Sequence, residues 1–155
     1  MIYRLYISAD FDKLYALEEV CFDPPSRFSR RFMRLLVQFS RTATWIAEEA
    51  GQITGFAIID WTEEDNEVTS YIQTVEVSPE ARGRGVGREL LNRVEDSARL
   101  AGAGSIWLHV EEGNAAAIRL YETQGFRWEG CEEDYYPSGR AALIYAKSLD
   151  AEAAC

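Results

Sequence analysis

Residues 71–100 read YIQTVEVSPEARGRGVGRELLNRVEDSARL, which is a strand pattern, a glycine-rich turn and a helix pattern in one run. Residues 72–77 alternate sides and are rich in β-branched side chains, as is typical of a half-buried strand. Pro79 ends this strand, because proline cannot donate a hydrogen bond to a sheet. Apolar residues recur at helical spacing from Val86 onward, so a helix is predicted to begin between Gly85 and Gly87.

The turn between this strand and helix has the features of a phosphate or pyrophosphate site. The first turn of a helix offers unpaired N–H donors and a partial positive charge, and glycines let a ligand approach the backbone. The turn contains three glycines and three arginines: Gly83, Gly85 and Gly87, and Arg82, Arg84 and Arg88. A Walker loop is excluded, because Arg88 and Glu89 replace its Lys and Ser/Thr, and a dinucleotide fingerprint fails at its last glycine.

Two motifs in the C-terminal half of the chain resemble signatures of the GNAT superfamily of N-acetyltransferases. The first is VSPEARGRGVG, residues 77–87, which is similar to the coenzyme A loop of that superfamily, Arg/Gln-x-x-Gly-x-Gly/Ala after a Val-x-Pro strand end. The second is NAAAIRLYETQGF, residues 114–126. The resemblance implies acetyl-CoA as cofactor and acetyl transfer to a primary amine as the reaction.

The whole pattern predicts an α/β (α+β) fold: a single GNAT-like domain, residues 1–149, with a flexible tail at residues 150–155. Helix N-caps are predicted at Asp10, Ser29 and Asn114. The strands are predicted at residues 1–8, 44–49, 52–62, 67–77, 106–110, 126–136 and 141–147. Short turns make most neighbours antiparallel, whereas the helix between residues 77 and 106 requires a parallel pair. We therefore expect a mixed, mainly antiparallel sheet with helices on both faces and a splayed parallel strand pair.

The second N-terminal helix is predicted to form its apolar face from four residues: Phe32, Leu35, Leu36 and Phe39. The basic residues beside them are interpreted as a solvated face.

Composition excludes several classes of protein. The chain has 155 residues, 47% hydrophobic and 27% charged, which is typical of a globular domain. A net charge of −10 disfavours nucleic acid as a partner. No apolar run reaches the ~20 residues of a membrane span and no signal peptide is visible, so we expect no membrane partner and a cytoplasmic location. Scattered cysteines (Cys21, Cys131 and Cys155) argue against a disulfide framework or a metal site. Monomer and homodimer both stay open.

The resemblance also assigns cofactor-binding residues by position. Val75, Glu76 and Val77 border the acetyl group and the pantetheine arm. The pyrophosphate is assigned to the loop Arg82, Gly83, Arg84, Gly85, Val86, Gly87 and Arg88. Asn114 borders the arm and is also an N-cap candidate. Tyr121 corresponds to the general-acid tyrosine that faces the cofactor sulfur, and a buried structural tyrosine is the alternative.

The general base is less clearly assigned. An attacking amine must lose a proton, and an α-amine with a pKa near 8 loses it more easily than lysine at about 10.4. RimI-type members of the superfamily have a glutamate at the position of His109. Histidine is a competent base near neutral pH, but a lone histidine in an apolar strand is often a hydrogen-bonded core residue. Glu76 is the main competing candidate, followed by Glu111 and Glu112.

The acceptor is suggested by Tyr135 and Tyr136, followed by Pro137. This sequence resembles RimI-type N-terminal acetyltransferases, in which such tyrosines help to bind the start of the peptide. The resemblance also assigns Phe22 to the groove that binds the acceptor. The aspartate usual in the last strand is replaced by alanine. The prediction is acetylation of a protein or peptide α-amine. The alternatives are a small amine (polyamine, amino acid or aminoglycoside) and a non-catalytic acyl-CoA-binding module.

Overall fold

The computed structural model describes residues 1–150, so the predicted tail beyond Asp150 lies outside the described residues. Seven strands form one sheet: β1 (Ile2–Leu5), β2 (Thr42–Glu49), β3 (Gln52–Glu64), β4 (Glu67–Val77), β5 (Ser105–Glu111), β6 (Arg127–Glu132) and β7 (Ala142–Ser148). Four helices accompany it: α1 (Phe11–Cys21), α2 (Arg30–Gln38), α3 (Val86–Leu100) and α4 (Ala115–Thr123). The strand order is β1-β2-β3-β4-β5-β7-β6.

The parallel pair lies at the centre of the sheet. β4 and β5 pair in parallel over residues 69–72 and 105–108, whereas the other described pairs are antiparallel. After Ile72 and Leu108 the two strands separate, and residues 74–77 remain paired to β3 alone. The predicted mixed sheet with a splayed parallel pair is therefore confirmed.

Helices cover both faces of the sheet. Alternating residues of β3 face opposite ways: Phe56 and Ile58 pack with α1 and α2 in one core, and Ala57 and Ile59 pack with α3 in the other. Tyr121 of α4 belongs to the second core. The two-sided arrangement follows from the period of two in a strand, because β3 is apolar on both of its faces. Among residues 1–150, no helix is long and apolar enough to cross a membrane.

Close packing of α3 on the sheet depends on Gly55 in β3. A Cβ atom at Gly55 would lie 2.8 Å from the backbone oxygen of Glu76 and 3.1 Å from the Leu90 side chain. We expect Gly55→Ala to lower the free energy of unfolding by about 1–3 kcal/mol, because neither the strand nor the helix can give way without a backbone shift. Urea unfolding measures this change.

Gly130 in β6 is the matched control for that substitution. A Cβ atom there would lie 3.8 Å from Ile144, which is ordinary contact, so Gly130→Ala should change the free energy of unfolding by less than about 0.5 kcal/mol. Equal effects at the two glycines would contradict the packing argument.

The predicted apolar face of α2 is wrong in all but one residue. Met33 and Leu36 are the buried side chains of this helix, at 0% and 8% exposure. Three of the predicted residues are instead exposed by 44–58%: Phe32, Leu35 and Phe39. Apolar residues cover more than half of the circumference of α2, so their spacing alone does not indicate which side contacts the sheet.

Several predicted element ends also differ from the structure. The strand predicted over residues 126–136 is shorter in the structure, because β6 ends at Glu132 and Asp134 has a positive φ of 54°. Asp10 precedes α1 but makes no side-chain cap, because its carboxylate accepts hydrogen bonds from Arg4 and from the Ile7 N–H group instead. The predicted caps at Ser29 and Asn114 are confirmed: each accepts a hydrogen bond from a backbone N–H in the first turn.

Candidate active site

The separation of β4 and β5 produces a wedge with one open strand edge. Residues 74–77 are bonded to β3 on one side and have no strand partner on the other among the described residues. In a sheet of this type, ligands bind where neighbouring parallel strands diverge at their carboxyl ends. An extended molecule with amide groups can pair with such an edge as an added strand does.

The glycine-rich turn lies directly beyond the carboxyl end of β4. Gly83 and Gly85 have φ angles of 78° and 81°, a left-handed conformation that other residues rarely adopt. Gly85 is the N-cap of α3, and the first intrahelical bond runs from the Glu89 N–H to its oxygen. Gly87 permits close contact with α4, because a Cβ atom there would lie 3.3 Å from Leu120. The open N–H groups of this turn fit a phosphate.

Two arginines of the turn already have protein partners. Arg82 donates from Nε to the Val77 oxygen at 3.0 Å, which ties the turn to the end of β4. Arg84 forms two hydrogen bonds with the Glu49 carboxylate, at 3.2 and 2.6 Å. This pairing raises the pKa of Arg84 and lowers the pKa of Glu49. A phosphate bound at Arg84 would therefore compete with Glu49.

Removal of that competitor gives a testable prediction. We expect Glu49→Gln to tighten coenzyme A binding by about threefold at low salt, because an exposed ion pair is weak and its loss frees the Arg84 guanidinium. Isothermal calorimetry measures the change. Glu63→Gln, at the exposed far end of β3, is the control for lost negative charge alone. Weaker binding by the Glu49 variant would show that this carboxylate positions Arg84 instead.

His109 is held by two hydrogen bonds at the mouth of the wedge. It follows Leu108, the last residue of β5 that is paired with β4. Its Nδ1 lies 2.8 Å from the Tyr71 hydroxyl, and its Nε2 lies 3.0 Å from Oε1 of Glu132. Its side chain is 9% exposed. A histidine oriented on both nitrogens has a defined proton donor side and acceptor side.

The predicted acceptor tyrosines belong to the same cluster. The Tyr135 ring stacks on His109 with centroids 4.4 Å apart, and the Tyr136 ring meets Tyr135 edge-on at 4.9 Å. Both can lie on one side of the sheet because they follow the end of β6 and are not in a strand. Burial, followed by the influence of Tyr135, raises the pKa of the Tyr71 hydroxyl well above its ordinary value.

Tyr121 lies on α4 and is 6% exposed. Burial is the main cause that raises the pKa of its hydroxyl well above the ordinary value, and Tyr136 adds to it. The hydroxyl therefore stays protonated through the neutral range, as a proton donor requires.

Glu76 faces a different set of groups. It is 3% exposed, accepts a hydrogen bond from the Thr74 hydroxyl at 2.8 Å and lies within hydrogen-bonding reach of Glu18 on α1. Burial and Glu18 raise the pKa of Glu76 well above its ordinary value.

Phe22, the predicted acceptor residue that follows α1, is 36% exposed, and its backbone oxygen accepts a hydrogen bond from Arg27.

Three residues of these clusters have no assignment from sequence: Tyr71, Glu132 and Glu18. Each contacts a predicted site residue across the fold, between 23 and 58 positions along the chain. The parallel pairing of two predicted strands indicates that Tyr71 and His109 are on neighbouring strands. The register that brings them into contact is not visible in the sequence.

An open strand edge beside a glycine-rich turn at a helix N-terminus suits an acyltransferase that takes its acyl group from a coenzyme A thioester, because that donor has an amide-containing arm and a pyrophosphate. The acetyltransferase (GNAT) family matches residues 11–126. The chain belongs to this family, as the two sequence motifs predicted.

Relatives include enzymes that act on different amines. Streptothricin acetyltransferase of Streptomyces lavendulae is 37% identical over 97 residues, covering 63% of this chain and 50% of that protein. The [ribosomal protein bS18]-alanine N-acetyltransferase of Salmonella typhimurium is 39% identical over 75 residues, covering 46% of this chain and 51% of that protein. The chain thus spans about half the length of each of these relatives.

The likeness extends further in three dimensions. The crystal structure of the ribosomal-protein-S18-alanine N-acetyltransferase from Escherichia coli superposes with a TM-score of 0.84 at 26% identity. The superposition covers 96% of this chain and 94% of that one. This likeness confirms the predicted fold over nearly the whole described chain.

Proposed function

We propose that this protein is an acetyl-CoA-dependent N-acetyltransferase and that its acceptor is the N-terminal α-amine of a protein or peptide. The observation that carries the proposal is the position of His109. It lies where β4 and β5 separate, with Tyr71 on one ring nitrogen and Glu132 on the other. That position supports the assignment of His109 as an oriented base beside the part of the wedge that we propose for the acyl donor.

Acetyl-CoA would supply an acetyl thioester, and this chain has groups that suit its other parts. The open edge at Val75, Glu76 and Val77 suits the amide-containing pantetheine arm, and the turn at residues 82–88 suits the pyrophosphate. Asn114 is occupied as an N-cap through its Oδ1, which leaves its side-chain NH2 group available to the arm.

The proton of the acceptor amine has a path through this cluster. When Nε2–H of His109 donates to Glu132, Nδ1 accepts the hydroxyl proton of Tyr71. The amine proton passes to the Tyr71 oxygen as the proton of that hydroxyl moves to Nδ1. Glu132 then faces a charged imidazolium, which it stabilises. Tyr121 donates its hydroxyl proton to the departing sulfur and regains one from solvent.

The choice of acceptor rests on Tyr135 and Tyr136. The Tyr135 ring stacks on His109 and the Tyr136 ring lies edge-on against Tyr135, so together they form an aromatic wall suited to the first residues of a peptide. Small amines are the second candidate, and the similarity to streptothricin acetyltransferase favours it. Acetyl transfer to a peptide and acetyl transfer to a small amine would use the same base and the same acid. The two reactions would differ only in the part of the acceptor that contacts the aromatic wall.

A mass-spectrometric transfer assay separates these candidates. The purified protein is incubated with acetyl-CoA and, in turn, with peptides bearing a free α-amine, a lysine peptide with a blocked start, and small amines that include a polyamine and an aminoglycoside. We expect acetylation at peptide α-amines. Transfer confined to small amines would overturn the acceptor assignment, and coenzyme A binding without any transfer would support a non-catalytic binding module.

The proposal extends to the working form of the protein. We take residues 1–149 as one catalytic domain that acts in the cytoplasm as a monomer or homodimer. Support comes from the single sheet that runs through the described chain. Light scattering of the purified protein distinguishes monomer from dimer.

A further inference from the structure

Two buried carboxyl groups, Glu18 on α1 and Glu76 on β4, lie within hydrogen-bonding reach of each other and outside the proposed proton path. They are 1% and 3% exposed. Each has one oxygen in a hydrogen bond: Oε2 of Glu18 accepts from the Phe28 N–H at 3.0 Å, and Oε2 of Glu76 accepts from Thr74 at 2.8 Å. The other oxygen of each, Oε1, has no donor among the described residues.

Electrostatics requires that such a pair hold a proton. Two like charges this close together and out of water cannot both persist, and burial and the nearby Glu18 raise the pKa of Glu76 well above its ordinary value. A single proton between the carboxyls removes the repulsion and supplies the donor that the free oxygens lack.

The surrounding groups do not supply a compensating cation. On α1, burial followed by the nearby Glu76 raises the pKa of the Cys21 thiol to about 11, so that this group is neutral. After β4, Arg82 is directed to the Val77 oxygen and lies 4.0 Å from the Cys21 sulfur. On β3, the residue opposite Glu76 is Phe56.

The pair connects two parts of the proposed active site. Glu18 fixes Phe28, whose oxygen also accepts a hydrogen bond from the Tyr15 hydroxyl at 2.8 Å. Phe28 belongs to residues 22–29, the loop between α1 and α2 that begins at the predicted acceptor residue Phe22. Glu76 lies within the strand edge that is open toward β5. The contact between the carboxyls therefore joins this loop to that edge.

We propose that Glu18 and Glu76 share one proton, and that the shared proton holds the loop at residues 22–29 against β4 in the shape that binds the acceptor. Both are positioning residues: they act through the loop and the strand, not on the reacting atoms. The link to acceptor binding rests on the proposed function, whereas the shared proton does not.

The first test observes the proton directly. Infrared spectra of the protein without ligands are recorded at neutral pH for the wild type, Glu76→Gln and Glu18→Gln. We expect a protonated-carboxyl band in the wild type that disappears in both variants, because a glutamine amide donates to the remaining carboxylate without a proton. Exposed Glu63→Gln is the control and should retain the band. Identical spectra for the wild type and both variants would overturn the proposal.

Unfolding gives a second readout that needs no catalysis. Above the ordinary carboxyl pKa, the folded state keeps a proton that the unfolded state has released, so stability falls as pH rises. In the pH window above the ordinary carboxyl pKa, the folding equilibrium constant of the wild type should decrease by up to about tenfold per pH unit relative to that of Glu76→Gln. Parallel pH profiles for the two proteins would contradict a shared proton.

The acceptor KM tests the functional link. In the wild type, the KM calculated for the free amine should rise with pH over the same window, whereas kcat should follow the acidic limb assigned to His109. In Glu76→Gln, this KM should stay flat. A parallel rise in both proteins would disprove the link to acceptor binding. If no amine is acetylated at all, the proposed function fails, and the infrared and unfolding results still decide whether the proton is shared.

Discussion

His109→Ala is expected to lower kcat by about 10²–10⁴-fold, the usual contribution of a positioned general base. The substitution removes the ring that forms hydrogen bonds with both Tyr71 and Glu132. It should also remove the acidic limb of the pH–rate profile, which reports protonation of the base. The KM for acetyl-CoA should change little, because His109 lies outside the glycine-rich turn. Steady-state kinetics across pH measure all three quantities.

Two further variants make this test specific. Trp107→Phe keeps an aromatic ring beside His109, where the centroids are 5.2 Å apart, and removes neither hydrogen bond. It should leave kcat nearly unchanged. Tyr71→Phe breaks the proposed proton path, and in combination with His109→Ala it should add little, because the two residues act as one unit. An unaltered kcat and pH profile in His109→Ala would transfer the role of base to Glu76 or a water molecule.

Tyr121→Phe is expected to lower kcat by about 10²-fold through loss of the proton donor to the sulfur. The fold should persist, because the phenylalanine ring keeps the contact with Phe126, whose centroid is 5.8 Å away. Activity requires the protonated hydroxyl, and burial raises the pKa of Tyr121. The wild type should therefore remain active at a pH at which an ordinary tyrosine would ionise.

Tyr145 provides the matched control for this substitution. Its side chain is 4% exposed, against 6% for Tyr121, so the two tyrosines are equally buried. Its hydroxyl donates a hydrogen bond to Glu122 at 2.9 Å. Tyr145→Phe should reduce stability by about 1 kcal/mol, the usual net value of one hydrogen bond, with little effect on kcat. If the two variants lose activity equally, α4 is being disturbed in both and Tyr121 has no special chemical role.

Features set by neighbouring residues could be predicted from the sequence. The caps at Ser29 and Asn114 depend on one side chain and the next turn of backbone, and the start of α3 depends on the positive φ of Gly85. The parallel pair follows from the connection between its strands. These interactions are local, so a single sequence contains the information that they need.

Contacts between distant parts of the chain could not be predicted in the same way. Tyr71 and His109 are 38 residues apart, and their contact depends on strand register. Glu18 and Glu76 are 58 residues apart, and their proximity depends on how α1 packs on the sheet. The predicted buried face of α2 is wrong for a related reason. Several apolar residues of this helix could face the sheet, and packing against the sheet buries Met33. Sequence patterns indicate which residues share an element but not which elements meet.

The open edge of β4 has a consequence for solubility. Unpaired strand edges at the perimeter of a sheet recruit other chains and lead to aggregation. In this protein the perimeter strands are β1, which has four residues, and β6, whose pairing shifts register between Trp128 and Gly130. The free edge of β4, residues 74–77, lies instead inside the wedge, flanked by β5, where a strand of another molecule has little access. The protein can therefore keep a hydrogen-bonding edge ready for a slender ligand without exposing it to other copies of itself.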